Sequence, residues 1–212
     1  MVNFTGIWWS LSTGMTWSLL TELGGQFHWI LQFTPITTSL KNNKQVTIRL
    51  ASSNDAHALL DLIKQYLDNA EYIPITSNDF NKTIAEIEAW IEKLNSADNS
   101  IMLVAEHNGQ LIGNLDLTGQ HRKTLQHTAV LGMGILLEWR NTGLGTALLS
   151  SAVEWAKRNN TLEILTLDVY TENIAGIELY RKQGFKEISI IPNFIRDNDR
   201  YYDNMSMWMA LR

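Results

Sequence analysis

Arg140-Asn141-Thr142-Gly143-Leu144-Gly145-Thr146 stands between a strand-like apolar run, residues 129–137, and an amphipathic helix that begins near Gly143. Two glycines one residue apart at a strand-to-helix turn let the backbone bend with its N–H groups turned inward. The helix N-terminus adds a partial positive charge and Arg140 a full one, so the turn is suited to hold a pyrophosphate. It is not a Walker A loop, because no Gly-Lys-Ser/Thr ending is present, and the third glycine of a dinucleotide fingerprint is missing. These seven residues alone are also compatible with a plain strand-turn-helix.

A second segment narrows the reading. Downstream run Leu165-Thr166-Leu167-Asp168-Val169, then Asn173, then Leu179-Tyr180, then Gly184-Phe185. An R-x-x-G-x-G turn followed by strand, Asn, helical Leu-Tyr and Gly-Phe resembles the GNAT superfamily of acetyl-coenzyme A-dependent N-acetyltransferases. The resemblance covers roughly residues 46–211 and is strongest from Ile135 to Phe185. One position departs from it: the family usually has alanine three residues after the Asn, where this chain has Gly176. Glycine in a helix interior costs roughly 1 kcal/mol relative to alanine.

The resemblance implies an α+β domain of GNAT fold, with a splayed, mostly antiparallel sheet of six to seven strands flanked by four helices. It implies acetyl-CoA as co-substrate and no metal. The backbone N–H groups of Arg140, Asn141, Thr142, Gly143, Leu144, Gly145 and Thr146 would take the pyrophosphate. The main chains of Ile135 and Leu137 would pair with the pantetheine arm, and Asn173 would hydrogen-bond to that arm. Tyr180 would protonate the departing thiolate.

Composition sets the outer bounds. The chain of 212 residues fits one domain with an appendage. With no cysteine, disulfides, thiolate catalysis and Cys-ligated zinc are excluded, and a reducing, cytoplasmic setting fits. No run of some 18 apolar residues predicts a membrane span. The formal net charge is −5, unevenly spread: residues 1–44 carry Lys41 and Lys44 against Glu22, and the remainder is acidic. An acidic domain without a basic stripe argues against nucleic acid as the main partner.

Residues 1–45 read as an aromatic-rich extension and residues 46–212 as the catalytic domain. The extension holds Trp8, Trp9, Trp17 and Trp29 and lacks the charged n-region of a signal peptide. Residues 27–33 read as a short strand and residues 17–23 as a helical turn. A surface cap, a dimerisation arm in a homodimer, and an over-long start are its three readings, and no function attaches to it.

In the domain, residues 46–50 alternate as a strand. Ser52 with Asp55 opens a helix carrying Ala56, Leu59, Leu60, Ile63, Leu67 and Ala70 at helical spacing. After a Pro74 loop, Phe80, Ile84, Ile87, Ile91 and Leu94 mark a second helix. Asn108-Gly109 predicts a hairpin between residues 101–106 and 111–117. Residues 126–137 read as a long strand with a bulge at Gly132 and Gly134, which would splay it from residues 165–169. A helix from about Gly143 to Arg158, a strand at residues 163–169 and a helix at residues 173–183 follow. Residues 185–190 and 202–211 close the sheet, with Met205, Met207 and Met209 on one packed face.

Acyl transfer from a thioester to an amine needs a grip on the coenzyme, a neutral amine, a polarised carbonyl and a proton for the thiolate. Asn173, directly after a strand, is a good helix N-cap by itself, and both roles can coexist. Tyr180 lies about two helical turns further along the same face. A phenol with pKa near 10 suits proton donation to a thiolate, while a Leu-Tyr pair near a helix end also packs cores. For the base, residues 126–137 hold no carboxylate, and His127 is the titratable group there; His121, Asp116 and Glu138 are fallbacks, and a water chain is the alternative.

Acceptor contacts are expected from Glu71 and Tyr72 in the loop between the first helices. Others are expected from Tyr201 and Tyr202, near Phe194, Arg196 and Asp203, at the last hairpin. The reading is therefore an N-acetyltransferase acting on a small-molecule or peptide primary amine by direct attack in a ternary complex. Its rival is a non-catalytic acyl-CoA-binding sensor of the same fold.

Overall fold

The computed structural model describes residues 33–212 in full and, before them, the backbone of strands β1 (Ser10–Leu11), β2 (Met15–Leu19) and β3 (Trp29–Leu31). These three form a small antiparallel sheet in the order β1-β2-β3. The strand expected within residues 27–33 is β3. The helical turn expected from Trp17 is instead strand as far as Leu19, and residues 20–23 lie outside the described ones.

Strand β4 (Ile36–Ser39) pairs antiparallel with β5 (Gln45–Leu50) through a turn at residues 40–44 in which Asn43 takes φ 61°. It forms the edge of the main sheet, upstream of the first strand read from the sequence. A 3-10 turn (Ser53–Asp55) leads into α1 (Ala56–Leu67), and α2 (Ile84–Ser96) follows the Pro74 loop. Thr83 and Glu86 close a capping box on α2, so that helix starts after Phe80 rather than at it. Next come β6 (Ile101–His107), β7 (Gln110–Gly119), β8 (Thr128–Ile135) and a second 3-10 turn (Leu137–Trp139). Then follow α3 (Leu144–Arg158), β9 (Ile164–Tyr170), α4 (Ile174–Lys182), β10 (Lys186–Asp197) and β11 (Arg200–Ala210).

The strand order is β10-β11-β9-β8-β7-β6-β5-β4, antiparallel throughout except between β8 and β9. Eight strands exceed the expected six to seven because of β4; the four helices are as expected among the described residues. Asn108 and Gly109, at φ 50° and 78°, make the β6–β7 hairpin turn that their dipeptide predicts. Met205, Met207 and Met209 are buried together, as the alternation requires.

Helices α1 and α3 cover opposite faces. Tyr66 of α1 lies over Gly134 on β8, and Leu148 of α3 lies against Gly113 on β7. Gly113 pairs with Ile135, one residue beyond Gly134, so the two glycines point to opposite sides. Arg49 on β5 fixes the start of α1 by bonding Asp55 at 2.8 Å and Glu106 on β6 at 2.8 Å. None of the described helices is long and apolar enough to cross a membrane.

Candidate active site

Strand β8 pairs with β9 only over residues 128–130, although β8 continues to Ile135 and β9 to Tyr170. The splay expected from the glycines is present, but without the bulge. The β7–β8 register runs without a break from Gly119↔Ala129 to Gly113↔Ile135, so no bulge interrupts it at Gly132 or Gly134. The glycines serve instead as vacant places on the α1 face. A Cβ at Gly132 would lie 2.8 Å from Asp116 Oδ1, and one at Gly134 would lie 2.2 Å from Cζ of Tyr66. Both side chains occupy the space that larger residues on β8 would take.

Alternation then decides which main-chain groups face the gap. The carbonyl of His127 accepts from Glu163 and Ile164, and that of Thr128 accepts from Gln120, so odd residues point towards β9. Beyond residue 130 the odd residues are Leu131, Met133 and Ile135, and all three line the cavity. Ile135 is where the sequence placed it. Leu137 is not: it sits in the 3-10 turn, 54% exposed and off the cavity, because the strand ends at Ile135.

The cavity in this splay has a volume of about 830 Å³, within the usual range for a ligand site. It draws Asn114, Asp116 and Tyr66 from the α1 face and Gly145, Leu179 and Tyr180 from the α3–α4 face, so it passes through the sheet. Its wall near α3 is the turn at residues 140–146. Gly143 is the helix N-cap at φ 95°, a left-handed conformation that favours glycine, and Asn141 has φ 62°. The Thr142 hydroxyl donates to Trp139 O at 2.6 Å. A Cβ at Gly145 would come within 3.1 Å of Leu179, so the glycine lets α3 start close against α4. Arg140 is turned partly to the protein, with Nε donating to Ile135 O and a terminal nitrogen to Asn69 O, both at 3.3 Å.

Asn173 caps α4 by accepting from Gly176 N–H at 2.9 Å and also lines the cavity. A Cβ on residue 176 would approach the Asn173 amide to 2.7 Å. Gly176 thus gives the capping side chain room, which is a local reason for the departure from alanine. Tyr180 lines the same cavity and packs edge-on to Phe185 at 5.9 Å between ring centroids. Burial pushes its phenol up to about 12, so it stays protonated at any working pH.

The structure separates the candidate bases by position. His127 precedes β8, at the end where β8 and β9 are still paired, and it is not among the cavity residues. Gly132 lies five positions further along the chain, about 16 Å at the rise of an extended strand. His121 and Glu138 are exposed and also off the cavity. The remaining fallback, Asp116, is on β7 directly opposite Gly132 and lines the cavity. Burial raises its carboxyl to about 6, against the Thr118 hydroxyl, which donates to Oδ2 at 2.8 Å and lowers it. Burial, with the nearby charge of Asp116, likewise raises the Tyr66 phenol.

Two residues that line the cavity were not marked in the sequence, Tyr66 and Asn114. Tyr66 was unmarked because an aromatic on a helix face looks like core. Asn114 is 2% exposed, and its Oδ1 has no hydrogen-bond partner among the described residues. A polar pair, Asn114 and Asp116, within the apolar stretch at residues 112–117 was the available signal, since buried polar side chains need a reason.

At the α1 side of the cavity, Glu71 and Tyr72 line it beside Ile73, Pro74 and Trp90. Tyr72 packs at a tilt on Tyr170 at 5.8 Å between centroids and Tyr170 edge-on to Tyr202 at 5.4 Å, so Tyr202 braces the rim from behind without lining the cavity. Burial, followed by the charges of Glu71 and Glu172, raises the Tyr72 phenol. Tyr201 alternates to the other side of the hairpin, 54% exposed beneath Arg196, and does not reach the cavity.

Residues 48–206 match the family model for an acetyltransferase (GNAT) domain. The L-amino acid N-acetyltransferase AaaT of Escherichia coli (strain K12) is 25% identical over 161 residues, 75% of this chain and 94% of that protein. The GNAT-family acetyltransferase from Streptococcus pneumoniae superposes with a TM-score of 0.75 at 30% identity, covering 78% of this chain and 98% of its own. The structure of yncA from Salmonella typhimurium with its cofactor acetyl-CoA has a TM-score of 0.70 at 22% identity, covering 79% and 94%, a likeness of fold.

Proposed function

This chain belongs to the GNAT acetyltransferase family, and we propose that, as an acetyl-CoA-dependent N-acetyltransferase, it transfers acetyl directly to a primary amine within a ternary complex. The observation that carries the reading is the placement of Asp116 and Tyr180 on one cavity that crosses the sheet, one group fit to accept a proton and the other to donate one.

The residues present fit the coenzyme. The glycine turn leaves helix N-terminal N–H groups for the pyrophosphate, and the main chains of Leu131, Met133 and Ile135 face a gap wide enough for the pantetheine arm. When bound, the coenzyme supplies the activated acetyl thioester. The acceptor enters from the α1 face, past Glu71 and Tyr72, whose acidic and aromatic rim favours an ammonium. Asp116 takes a proton from that ammonium, directly or through one water, leaving a neutral amine. Asn114 Oδ1 accepts a remaining N–H and so gains the partner it lacks; an unpaired buried acceptor costs about 1–3 kcal/mol. Tyr180 would protonate the leaving sulfur as the carbon–sulfur bond breaks, and the proton shed by the newly acylated nitrogen would restore its phenol, so that the one proton released overall is the one held by Asp116. An amino acid or a peptide N-terminus is the acceptor class that suits this mouth, in keeping with what AaaT is named for.

Release of free thiol from acetyl-CoA in the presence of amino acids, peptides and polyamines tests the proposal. Turnover with at least one primary amine is expected. Tight acetyl-CoA binding with no turnover on any of them would favour the sensor reading. That rival drew on the lack of a carboxylate on β8, and Asp116, reaching over Gly132 from β7, supplies one.

Two smaller effects follow from the geometry. His127→Ala should leave kcat/KM and its pH profile within about twofold of the parent, since only the backbone carbonyl of His127 is engaged at the β8–β9 junction; a lost pH limb would return the imidazole to the mechanism. Gly143→Val should weaken acetyl-CoA binding about tenfold, because a β-branched residue at positive φ costs about 1–2 kcal/mol and the turn would relax away from the N–H cradle. Calorimetric titration giving an unchanged Kd would remove Gly143 from the cradle.

A further inference from the structure

The loop between β4 and β5, just upstream of the family-matched residues, brings a cation to the turn at residues 140–146. Leu40, 6% exposed, anchors the β4–β5 turn in the core. The next residue, Lys41, donates its backbone N–H to Thr142 O at 2.9 Å, in the middle of the turn at residues 140–146. Lys44, at the other end of the same loop, lies 4.6 Å from the ring centroid of Trp139, whose carbonyl accepts the Thr142 hydroxyl. The loop is therefore seated on the turn at two points. The Lys41 side chain then runs past Gly143: a Cβ there would be 3.6 Å from its Cγ and 3.9 Å from its Cε. Lys41 lines the same cavity as Arg140, Gly143, Gly145 and Thr146.

We propose that Lys41, from a loop upstream of the family's matched residues, is a coenzyme-binding residue that neutralises phosphate charge on acetyl-CoA at the start of α3. Arg140, the cation within the turn, already donates Nε and one terminal nitrogen to the backbone carbonyls of Ile135 and Asn69, which turns part of its guanidinium towards the protein. The helix N-terminus offers only partial charge against the doubly ionised pyrophosphate. An ammonium on a flexible stem is a point charge that follows a phosphate without demanding one geometry. The assignment rests on the acetyl-CoA reading of the cavity, and it gives residues 36–44 a share in binding that the domain alone does not include.

Titration of the full chain with acetyl-CoA at low and high salt tests it, comparing parent, Lys41→Met and Lys41→Arg. The methionine variant keeps the stem and the backbone N–H but should bind about fivefold more weakly at low salt, the scale of one exposed ion pair. The deficit should shrink as salt screens the interaction, and arginine should restore it. The acceptor KM at saturating coenzyme should not change. A loss of affinity that is independent of salt would mean that Lys41 only shapes the turn, and the proposal fails. Equal Kd and equal salt dependence in all three proteins overturn it as well, leaving the acetyltransferase reading intact. A parent protein that binds no acetyl-CoA overturns both.

Discussion

Asp116→Asn is expected to lower kcat/KM for the amine about 10³-fold, within the range of a lost general base, while making the protein harder to unfold near neutral pH. Both effects have one source. The carboxyl is partly buried over Gly132, and this burial raises it to about 6. At pH 7 it is nevertheless mostly ionised, so it can accept a proton, and the folded state carries the cost of an ion withdrawn from water. The sign of the linkage follows. Because the folded pKa lies above the unfolded one, the folded state binds the proton more tightly. The stability this gives is complete below the ordinary carboxylate pKa and is lost as pH rises through about 6.

Asparagine is nearly isosteric and never ionises, so the variant should lack that loss between roughly pH 4 and 6 and unfold at a higher temperature at pH 7. The parent should show kcat/KM rising with pH through about 6, and the variant should not. A variant that keeps the limb and the rate would move the base elsewhere. A variant that loses both activity and stability would identify Asp116 as a fold determinant instead.

Tyr180→Phe should reduce kcat about 10²-fold and leave acetyl-CoA affinity unchanged, the pattern of an interaction made only in the transition state. Phenylalanine retains the edge-on packing against Phe185, so folding and the cavity wall should persist. With its phenol raised to about 12, Tyr180 itself should add no descending limb to the rate below about pH 11. Single-turnover measurement of thiol release separates this from an effect on product release. Equal kcat in parent and variant would restrict Tyr180 to packing.

Local spacing was enough for much of this protein. The Asn108-Gly109 hairpin, the turn around Gly143, the Asn173 cap and the position of Tyr180 two helical turns later are all set by residues close in sequence. The family follows from their order along the chain, and the fold follows from the family. Residues 135 and 137 show the limit of that reasoning: a one-residue count gave the right strand parity for Ile135, but the strand ended before Leu137.

What lay beyond the sequence was decided by pairing across strands and by packing between distant elements. Asp116 is the base candidate because of the β7–β8 register, and the loop between those strands is too long and irregular for the register to be counted from the sequence. The paired glycines suggested a bulge; only the positions of Asp116 and Tyr66 reveal them as spaces for side chains from another strand and a helix. His127 shares a strand-like segment with the site, yet β8 is long enough to carry it to the opposite end. Lys41 reaches the turn at Thr142 across about a hundred residues through one backbone hydrogen bond. Local chemistry names the turn, the cap and the proposed acid, because short-range geometry fixes them; the proposed base and the added cation depend on long-range contacts, which exist only once the chain has folded.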